Sequence, residues 1–521
     1  MAEDFFERYF WAEDLGIGVD VSRIHNYSND YGNLNQKITR AFNAMAALES
    51  GGIANGDENR MVGHYWLRNS GLAPTVGIKS EIENSITQIE RFALAVHKGD
   101  IVGQDGRFKN VLCLGIGGSA LGPRLISTAL SNPKKDKMKL YFIDNTDPDG
   151  IDYMADILDG QLGKTLVICM SKSGGTQETK NALIEIEQLY NSHGLTFSRH
   201  ALAVTCKDSK LDHQAKKDGW ISRFPMWDWV GGRTSVTSVV GLLPAALQGI
   251  DFKKFLSGAR DMDSISRRQI EENPAMVLAV AWYSASLGHG KKDMVVIPYK
   301  DRLGLFTSYL QQLIMESLGK RHDANGLEVH QGISVYGNKG STDQHAYVQQ
   351  LRDGLDNFFV TFIEVLKARV GESIDIEPGV KTGDYLEGFF LGTRLALTES
   401  GRESITLTIR EMNAYYMGIL IALYERAVGF YASLINVNAY DQPGVEAGKK
   451  AAKDVLRVQQ LILEYLSSQN TNMTSLEIAE AIGGDKELVF KLLEHLAANG
   501  RVSREWSDSV RNLKYMTKIS D

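Results

Sequence analysis

Positive charge is scarce in this chain of 521 residues. Its 57 lysines and arginines are outnumbered by 64 aspartates and glutamates, which leaves a net charge of −7. Nucleic acids and anionic membranes attract proteins with an excess of basic residues, so neither is expected as a partner of the whole molecule. An anionic ligand would have to bind in a local pocket.

Cysteine is also rare, and no CxxC or Cys/His spacing occurs. This excludes a disulfide framework and a zinc site of the usual spacing. The N-terminal sequence MAEDFFERYF carries acidic and aromatic residues where a secretory signal would have a basic stretch and an apolar run. We therefore expect a cytoplasmic protein with reduced, buried thiols. The cysteines are Cys113, Cys169 and Cys206.

One long hydrophobic run, Met417 to Val437, could suggest a membrane span. Glu425 and Arg426 interrupt it, and ionisable residues are rare within spans. The run therefore predicts a buried core helix.

Short apolar runs that alternate with helix-sized segments predict an α/β fold with two parallel sheets, each between layers of helices. A second series of runs begins after the polar stretch at 261–273. We predict strands at Val111–Leu114, Leu140–Ile143, Leu166–Met170 and Leu202–Val204 in the first series, and at Met294–Ile297, Ile333–Val335 and Phe358–Ile363 in the second.

The flanking regions differ from these two series. Residues 1–100 are predicted to be a helical N-terminal region, followed by α/β domains at 101–260 and 261–465. Residues 466–521 have the helix, helix, strand pattern of a small winged-helix-like module. From 451 to 521 there are nine Lys/Arg and ten Asp/Glu, so the basic face needed for DNA binding is absent. A packing or oligomerisation role is favoured.

A glycine-rich loop, residues 115–123, follows the first predicted strand and opens a helix. Its sequence GIGGSALGP directs backbone N–H groups and a helix N-terminus at one anion-sized space. The loop also fits the Ala-ended dinucleotide fingerprint, and Asp144 at the end of the next strand could bind a ribose. Both a phosphate site and a nicotinamide-dependent oxidoreductase are compatible with this loop alone.

A second loop, SKSGGTQET at 171–179, follows a neighbouring predicted strand. Its hydroxyls, its glycine pair and the helix start at Thr176 form a nest suited to a tetrahedral dianion. The simpler interpretation is a Ser/Gly-rich turn that only caps a helix. Two such loops on neighbouring strands favour a phosphate. No GxxxxGK[ST] motif occurs, so a nucleoside triphosphate is not expected.

Together with these loops, four further motifs make the chain resemble the glucose-6-phosphate isomerase family of the sugar isomerase domain superfamily, over about residues 100–450. They are GGRTS at 231–235, QLIMESLGK at 312–320, and the pair DQHAY at 343–347 and DQPGVEAGK at 441–449. The resemblance implies two sugar isomerase domains and a homodimer whose sites draw residues from both chains. It also implies reversible conversion of glucose 6-phosphate to fructose 6-phosphate, in glycolysis and gluconeogenesis, without a metal or organic cofactor.

Motif by motif, the resemblance implies that Glu316 is the proton-transferring base and that Arg233 stabilises the intermediate. His345 and Lys449 match the pair that opens the sugar ring. The residues that match substrate contacts are Gly118, Ser119, Ser171, Lys172, Ser173, Thr176, Gln312 and Gln442.

The chemistry of an aldose–ketose isomerisation suits these residue types. One carboxylate can carry a proton between adjacent carbons, and a guanidinium can stabilise the enediolate without a metal. Imidazole suits ring opening near neutral pH. Taken singly, each residue could instead be a surface charge, an ion-pair partner or a capping group. The main alternative is a non-catalytic regulator that senses a sugar phosphate, because the C-terminal tail is winged-helix-like.

Overall fold

The computed structural model describes residues 2–56, 58–469 and 471–517, with the side chains of 2–4 and 445–451 outside this description. The chain forms two compact units, Met1–Asp441 and Gln442–Asp521.

The first sheet of unit 1 has five strands, all parallel. Leu114, at the end of one central strand, pairs with Ile143 on one side and Cys169 on the other. The two predicted anion loops therefore leave the same edge of the sheet. The four strands expected from the first series are confirmed, and a fifth is added. In spatial order they are Lys139–Ile143, Asn110–Leu114, Thr165–Met170, Ala201–Cys206 and Ser222–Met226.

The second sheet has six strands: four are joined by parallel pairings, and the N-terminal region adds two more through antiparallel pairings. This corrects the expectation of an entirely helical region 1–100. The strand Ile17–Arg23 alternates Ile, Val and Val with smaller or polar residues, and it pairs with the sheet because that alternation suits a strand. The spatial order is Tyr9–Ala12, Ile17–Arg23, Ser404–Ile409, Phe358–Val365, Asp293–Pro298 and Val335–Tyr336.

Helices surround both sheets. Unit 1 also contains short two-stranded hairpins. The α-helices of unit 1 are Ala2–Glu7, Tyr27–Asn33, Asn35–Glu49, Val76–Lys98, Leu121–Leu130, Pro148–Ile157, Gln177–Ser192, Lys210–Lys217, Val239–Gln248, Phe252–Ile265, Pro274–Ala285, Phe306–Leu310, Val348–Asp353, Thr382–Glu399 and Ala414–Leu434. The hairpin strands are Ile53–Asn55 with Arg60–Met61, Lys320–His322 with Glu328–Gln331, and Asp375–Glu377 with Val380–Lys381.

The helix Ala414–Leu434 forms the centre of the unit 1 core. It packs against Phe252–Ile265, Pro274–Ala285 and Asn35–Glu49. By length and composition it could cross a membrane, but 94% of its most apolar window is buried inside the protein. The prediction of a core helix is confirmed.

Unit 2 has the predicted order of helix, helix and strand. A long helix, Val445–Ser467, precedes two short ones, Ser475–Ile482 and Lys486–Ala498. An antiparallel sheet follows the order Met473–Thr474, Lys514–Thr517 and Val502–Glu505. The strand Lys514–Thr517 was not predicted. It contributes the buried Tyr515 to a small core of this unit.

Candidate functional site

The loop at 171–176, called the phosphate loop below, is folded around its own hydroxyl groups. The N–H of Gly174 donates to Ser171 Oγ at 3.1 Å, and that of Gly175 donates to Ser173 Oγ at 3.0 Å. Gly174 has a φ of +68°, and a Cβ there would overlap the backbone nitrogen of Leu211. Only glycine suits this turn.

The phosphate loop ends at the N-terminus of a 16-residue helix, Gln177–Ser192. Thr176 is the N-cap residue, yet its side chain makes no capping hydrogen bond; its hydroxyl lies 3.4 Å from that of Ser171. The free N–H groups of the first helical turn and the helix dipole both favour an anion at this end. The arrangement fits the phosphate site that the sequence predicts.

Lys172 connects the phosphate loop to the chain that leads into Arg233. Its Nζ donates to the carbonyl oxygens of Asp228, at 2.9 Å, and Val230, at 3.3 Å. Burial lowers the pKa of this amine, and the nearby Arg60 lowers it further. Two of its three N–H groups are thus engaged, and its direct contact with a phosphate stays a prediction.

The glycine-rich loop 115–123 packs directly against the GGRTS motif. A Cβ on Gly118 would overlap the carbonyl oxygen of Gly232, and Ser235 Oγ donates to the carbonyl of Gly118 at 3.3 Å. On its other side, a Cβ on Gly117 would lie 3.1 Å from Nε2 of Gln312. Three separate motifs therefore meet at this loop, with Ser119 half-buried beside them.

Glu316 ends a π-helical turn, Gln311–Glu316, that continues the α-helix Phe306–Leu310. The π turn replaces α-helical hydrogen bonding in the middle of this helical segment. In a π turn each hydrogen bond spans one residue more than in an α-helix, which rotates the following side chains about the axis. Such turns occur frequently at functional sites.

Arg233 and Glu316 form an ion pair at the meeting point of these motifs. Arg233 Nη1 lies 3.4 Å from Glu316 Oε2, with 4% and 22% of the two side chains exposed. Neither atom has a hydrogen-bond partner among the described residues. Burial lowers the pKa of Arg233, while the charge of Glu316 opposes the shift. At 3.4 Å the two atoms contact each other, so a ligand could bind beside this pair but not between its members.

Main-chain carbonyls hold the other terminal nitrogen of Arg233. Its Nη2 donates to the carbonyl oxygens of Ala439, at 3.2 Å, and Asp441, at 2.8 Å. The guanidinium is therefore oriented by main chain, which fixes the direction of its remaining N–H groups.

The structure does not bring His345 to this centre. His345 is exposed at the end of the 3₁₀ turn Thr342–His345, and no hydrogen bond or ion pair joins it to Glu316 or Arg233 within the described chain. Its loop is nevertheless well held. Asp343 accepts the N–H of Asn338 at 2.9 Å, and Gln344 Nε2 donates to the carbonyl of Phe389 at 3.0 Å.

Gln442 and Lys449 belong to unit 2. Gln442 is exposed, and Lys449 lies in the helix Val445–Ser467 with its side chain outside the described part of the structure. Their roles stay predictions.

Two residues of the site escaped sequence reasoning. Lys320 Nζ lies 3.0 Å from the carbonyl oxygen of Glu316 and 3.0 Å from both the carbonyl oxygen and Oδ1 of Asp441. The sequence feature that could have pointed to them is their position in two motifs, because Lys320 ends QLIMESLGK and Asp441 begins DQPGVEAGK.

Asp144, the residue that could bind a ribose, is an ion-pair partner. Arg124 Nη1 donates to its Oδ2 at 2.8 Å. Among the described residues there is also no group of three or more His, Cys, Asp or Glu side chains that could hold a metal ion.

Comparison with known proteins agrees with the resemblance seen in the motifs. The family model for phosphoglucose isomerase matches residues 32–393 and 395–473. The chain is 56% identical over 492 residues to a glucose-6-phosphate isomerase from Geotalea daltonii, covering 93% of this chain and 92% of that protein. It is 54% identical over 527 residues to one from Citrifermentans bemidjiense, covering 99% of each.

The fold agrees as well. The crystal structure of a glucose-6-phosphate isomerase from Chlamydia trachomatis superposes with a TM-score of 0.78 at 25% identity, covering 88% of this chain and 92% of that one. None of these three relatives is described as a regulator or a nicotinamide-dependent enzyme. Both alternatives therefore lack support.

Proposed function

Because this chain belongs to the phosphoglucose isomerase family, we propose that its chemistry takes place where Arg233 and Glu316 meet. The chain interconverts glucose 6-phosphate and fructose 6-phosphate, an isomerisation of glycolysis. The observation that supports this placement is the largely buried ion pair between Nη1 of Arg233 and Oε2 of Glu316, which brings the GGRTS and QLIMESLGK motifs together.

Binding begins with the substrate phosphate. The phosphate loop offers the hydroxyls of Ser171, Ser173 and Thr176 and the N-terminus of a long helix. The glycine-rich loop starts at the same edge of the sheet and supplies Gly118 and Ser119. With the phosphate held here, Gln312 is placed to bind the hydroxyl groups of the sugar on the side of Glu316.

The isomerisation itself needs one proton to move between neighbouring carbons. In the direction from glucose to fructose, the Glu316 carboxylate removes the proton from C2, and the electron pair of that C–H bond forms the C1–C2 double bond of an enediolate. The proton of the C2 hydroxyl moves to the oxygen on C1, the carboxylic acid returns its proton to C1, and the carbonyl forms at C2. Arg233 stabilises the oxyanion that develops in between, because its buried guanidinium is fixed before the reaction.

Ring opening is assigned to His345 and Lys449, and we propose that His345 acts in the site of a second copy of the chain. His345 is exposed, and Gln344 beside it is bonded to the helix Thr382–Glu399. That helix and the chain just before it expose many large apolar side chains, as expected of a surface covered by a protein partner. They are Leu366, Val370, Ile374, Ile376, Tyr385, Phe389, Leu391 and Leu395.

A mixing experiment tests the shared site. Glu316→Gln and His345→Gln are each expected to be nearly inactive alone. If each site combines Glu316 of one chain with His345 of the other, a mixed dimer contains one intact site, so random 1:1 mixing restores about a quarter of wild-type activity. No recovery in a mixture shown to contain mixed dimers would refute the shared site.

Location and domain division complete the proposal. We place the protein in the cytoplasm, where its cysteines, all free, are compatible with reducing conditions. The strands from 110 to 226 form one sheet and the parallel strands from 293 to 409 form another, which supports sugar isomerase domains at 101–260 and 261–465.

The activity is tested by a coupled assay of fructose 6-phosphate formation from glucose 6-phosphate in the presence of a chelator. We expect turnover to be unaffected, since the residues proposed for the reaction require no metal. Turnover that disappears with the chelator and returns with an added metal would contradict the proposed mechanism.

A further inference from the structure

Lys320 lies behind the two proposed catalytic side chains and is almost completely buried, with 5% of its side chain exposed. Its ammonium group contacts three oxygens, each at 3.0 Å: the carbonyl oxygen of Glu316, the carbonyl oxygen of Asp441 and the Oδ1 atom of Asp441. An ammonium has three N–H donors. Two of these contacts are hydrogen bonds to main-chain carbonyls, and the third is an ion pair, since Asp441 Oδ1 has no hydrogen-bond partner among the described residues.

Asp441 makes the second half of the connection. Its carbonyl oxygen accepts from Lys320 and also from Arg233 Nη2, at 2.8 Å. Arg233 in turn faces Glu316 at 3.4 Å. The contacts thus form a closed ring of four residues: Lys320, Asp441, Arg233 and Glu316. In this ring Lys320 holds the main chain of Glu316, and Arg233 faces its carboxylate.

A buried ion pair is weak support for stability, because removing two charges from water costs about as much as their attraction returns. The contribution of this ion pair is instead to fix the positions of neighbouring groups. Lys320 fixes the carbonyl at the end of the π turn, and Asp441 fixes the guanidinium. A displacement of about 1 Å in a reacting group can reduce turnover on the order of 100-fold, so a connection of this kind matters for the reaction.

We propose that Lys320 and Asp441 are positioning residues, which hold the Glu316 carboxylate and the Arg233 guanidinium at the separation the proton transfer needs. This inference rests on the function proposed for Glu316 and Arg233. It adds two residues that touch neither the substrate nor the reacting atoms.

The first test is Lys320→Met, which keeps the length of the side chain and removes its charge and donors. We expect kcat to fall on the order of 10- to 100-fold while KM changes less than about threefold, because the phosphate site is untouched. The matched control is Lys292→Met, which breaks another partly buried lysine pair, with Asp356 at 3.0 Å and Glu403 at 3.2 Å. The control should leave kcat unchanged.

The second readout is hydrogen retention during turnover in deuterated water. A carboxylate that is held in place returns part of the substrate hydrogen, whereas a loosely held one exchanges it with solvent. We expect Lys320→Met to retain less of the hydrogen than the wild type and Lys292→Met to retain the same fraction. A purely structural role for Lys320 would not change this fraction.

A milder variant, Asp441→Asn, keeps the shape and the main-chain acceptor, and it serves if Lys320→Met fails to fold. Its kcat should lie between those of Lys320→Met and the wild type. Wild-type kcat and hydrogen retention in a folded Lys320→Met or Asp441→Asn protein would overturn the inference. If Glu316→Gln itself kept activity, the proposed function would fail first, so the two failures are distinguishable.

Discussion

Arg233 and Glu316 lie 3.4 Å apart although they follow strands of different sheets. Arg233 comes after the last strand of the first sheet, Ser222–Met226, and Glu316 comes after the strand Asp293–Pro298 of the second. The ion pair thus depends on how the two halves of unit 1 pack, and they approach closely at Gly117, where a Cβ would lie 3.1 Å from Nε2 of Gln312. A side chain at Gly118 would instead displace the backbone of Gly232, just before Arg233.

Glu316→Gln should remove isomerisation and keep binding. Glutamine has nearly the size of glutamate and still forms hydrogen bonds, but it cannot carry a proton. We expect turnover to fall on the order of 10²–10⁴-fold or more, with the dissociation constant for the sugar phosphate changed only a few-fold. Calorimetry and the coupled assay measure the two effects.

Solvent labelling provides the check on that result. In deuterated water the wild type should place deuterium at the transferred carbon position and retain part of the original hydrogen. Complete retention, as in a hydride shift, or near-normal turnover by Glu316→Gln would remove Glu316 from this role.

Arg233→Lys should show that orientation matters as well as charge. Lysine keeps the positive charge but cannot donate to Ala439, Asp441 and an oxyanion in the fixed directions of a guanidinium. We expect kcat to fall on the order of 10²–10³-fold. Arg233→Gln should lose more, since the charge is also absent. Equal kcat values for the two variants would indicate that charge at this position contributes little.

The sequence predicted the first sheet well because its central strands are short, apolar and almost fully buried, which is the typical pattern of parallel strands. It did not predict the strand Ser222–Met226, in which Arg223 and Pro225 interrupt the apolar pattern. The N-terminal strand Ile17–Arg23 was overlooked for another reason. Its partner, Ser404–Ile409, is almost 400 residues away, and local pattern cannot reveal such a pairing.

The candidate site was predictable in its residue types and only partly in its geometry. The motifs named Arg233, Glu316 and Gln312, and the structure brings them together. The π turn at Gln311–Glu316 and the connection through Lys320 could not be predicted, because both depend on tertiary contacts.

The phosphate loop should control affinity. The double variant Ser173→Ala, Thr176→Val removes two hydroxyls and keeps the helix N-terminus, so we expect KM to rise about tenfold or more with kcat reduced less. Ser192→Ala, at the far end of the same helix, is the matched control, since within the described residues Ser192 Oγ hydrogen-bonds only to the carbonyl of Leu189 and to Nδ1 of its neighbour His193. Unchanged binding of the sugar phosphate by the double variant, measured by calorimetry, would show that the phosphate lies elsewhere.

Stability should depend on pH through Glu387. Burial and the adjacent Glu364 raise the pKa of Glu387 from 4.5 to about 7. A carboxyl with a raised pKa stabilises the folded state most at low pH, and that stabilisation is lost as the pH rises through about 7. Glu387→Gln should therefore be more stable than the wild type at pH 8.5, by about 1 kcal/mol given the partial solvent exposure of the group.

The two proteins should approach each other in stability below about pH 4.5, the ordinary pKa of the carboxyl in the unfolded chain. Urea unfolding across this range at fixed protein concentration measures the effect, and Glu399→Gln, an exposed carboxylate on the same helix, is the control. If the difference in unfolding free energy between the wild type and Glu387→Gln does not vary with pH, that difference arises from packing and not from titration of Glu387.

Removal of the C-terminal module should leave the chemistry intact. A chain that ends at Ser467 keeps the helix Val445–Ser467, which carries Lys449, and loses a module with no catalytic motif and balanced charge. Ile462 and Leu466 pack into the core of that module and would become exposed. We therefore expect wild-type kcat per folded molecule, together with lower stability and a tendency to associate.

Replacing Ile462 and Leu466 with Gln in the truncated chain tests whether that exposed patch causes the association. If the patch is the cause, sedimentation should show the association relieved while kcat stays the same, because neither residue belongs to a motif that the reaction uses. The decisive comparison is a truncated chain that remains folded and has the assembly state of the full chain. If such a chain binds sugar phosphate but has lost turnover, neither lost binding nor unfolding can explain the result. The module would then have to complete or regulate the site.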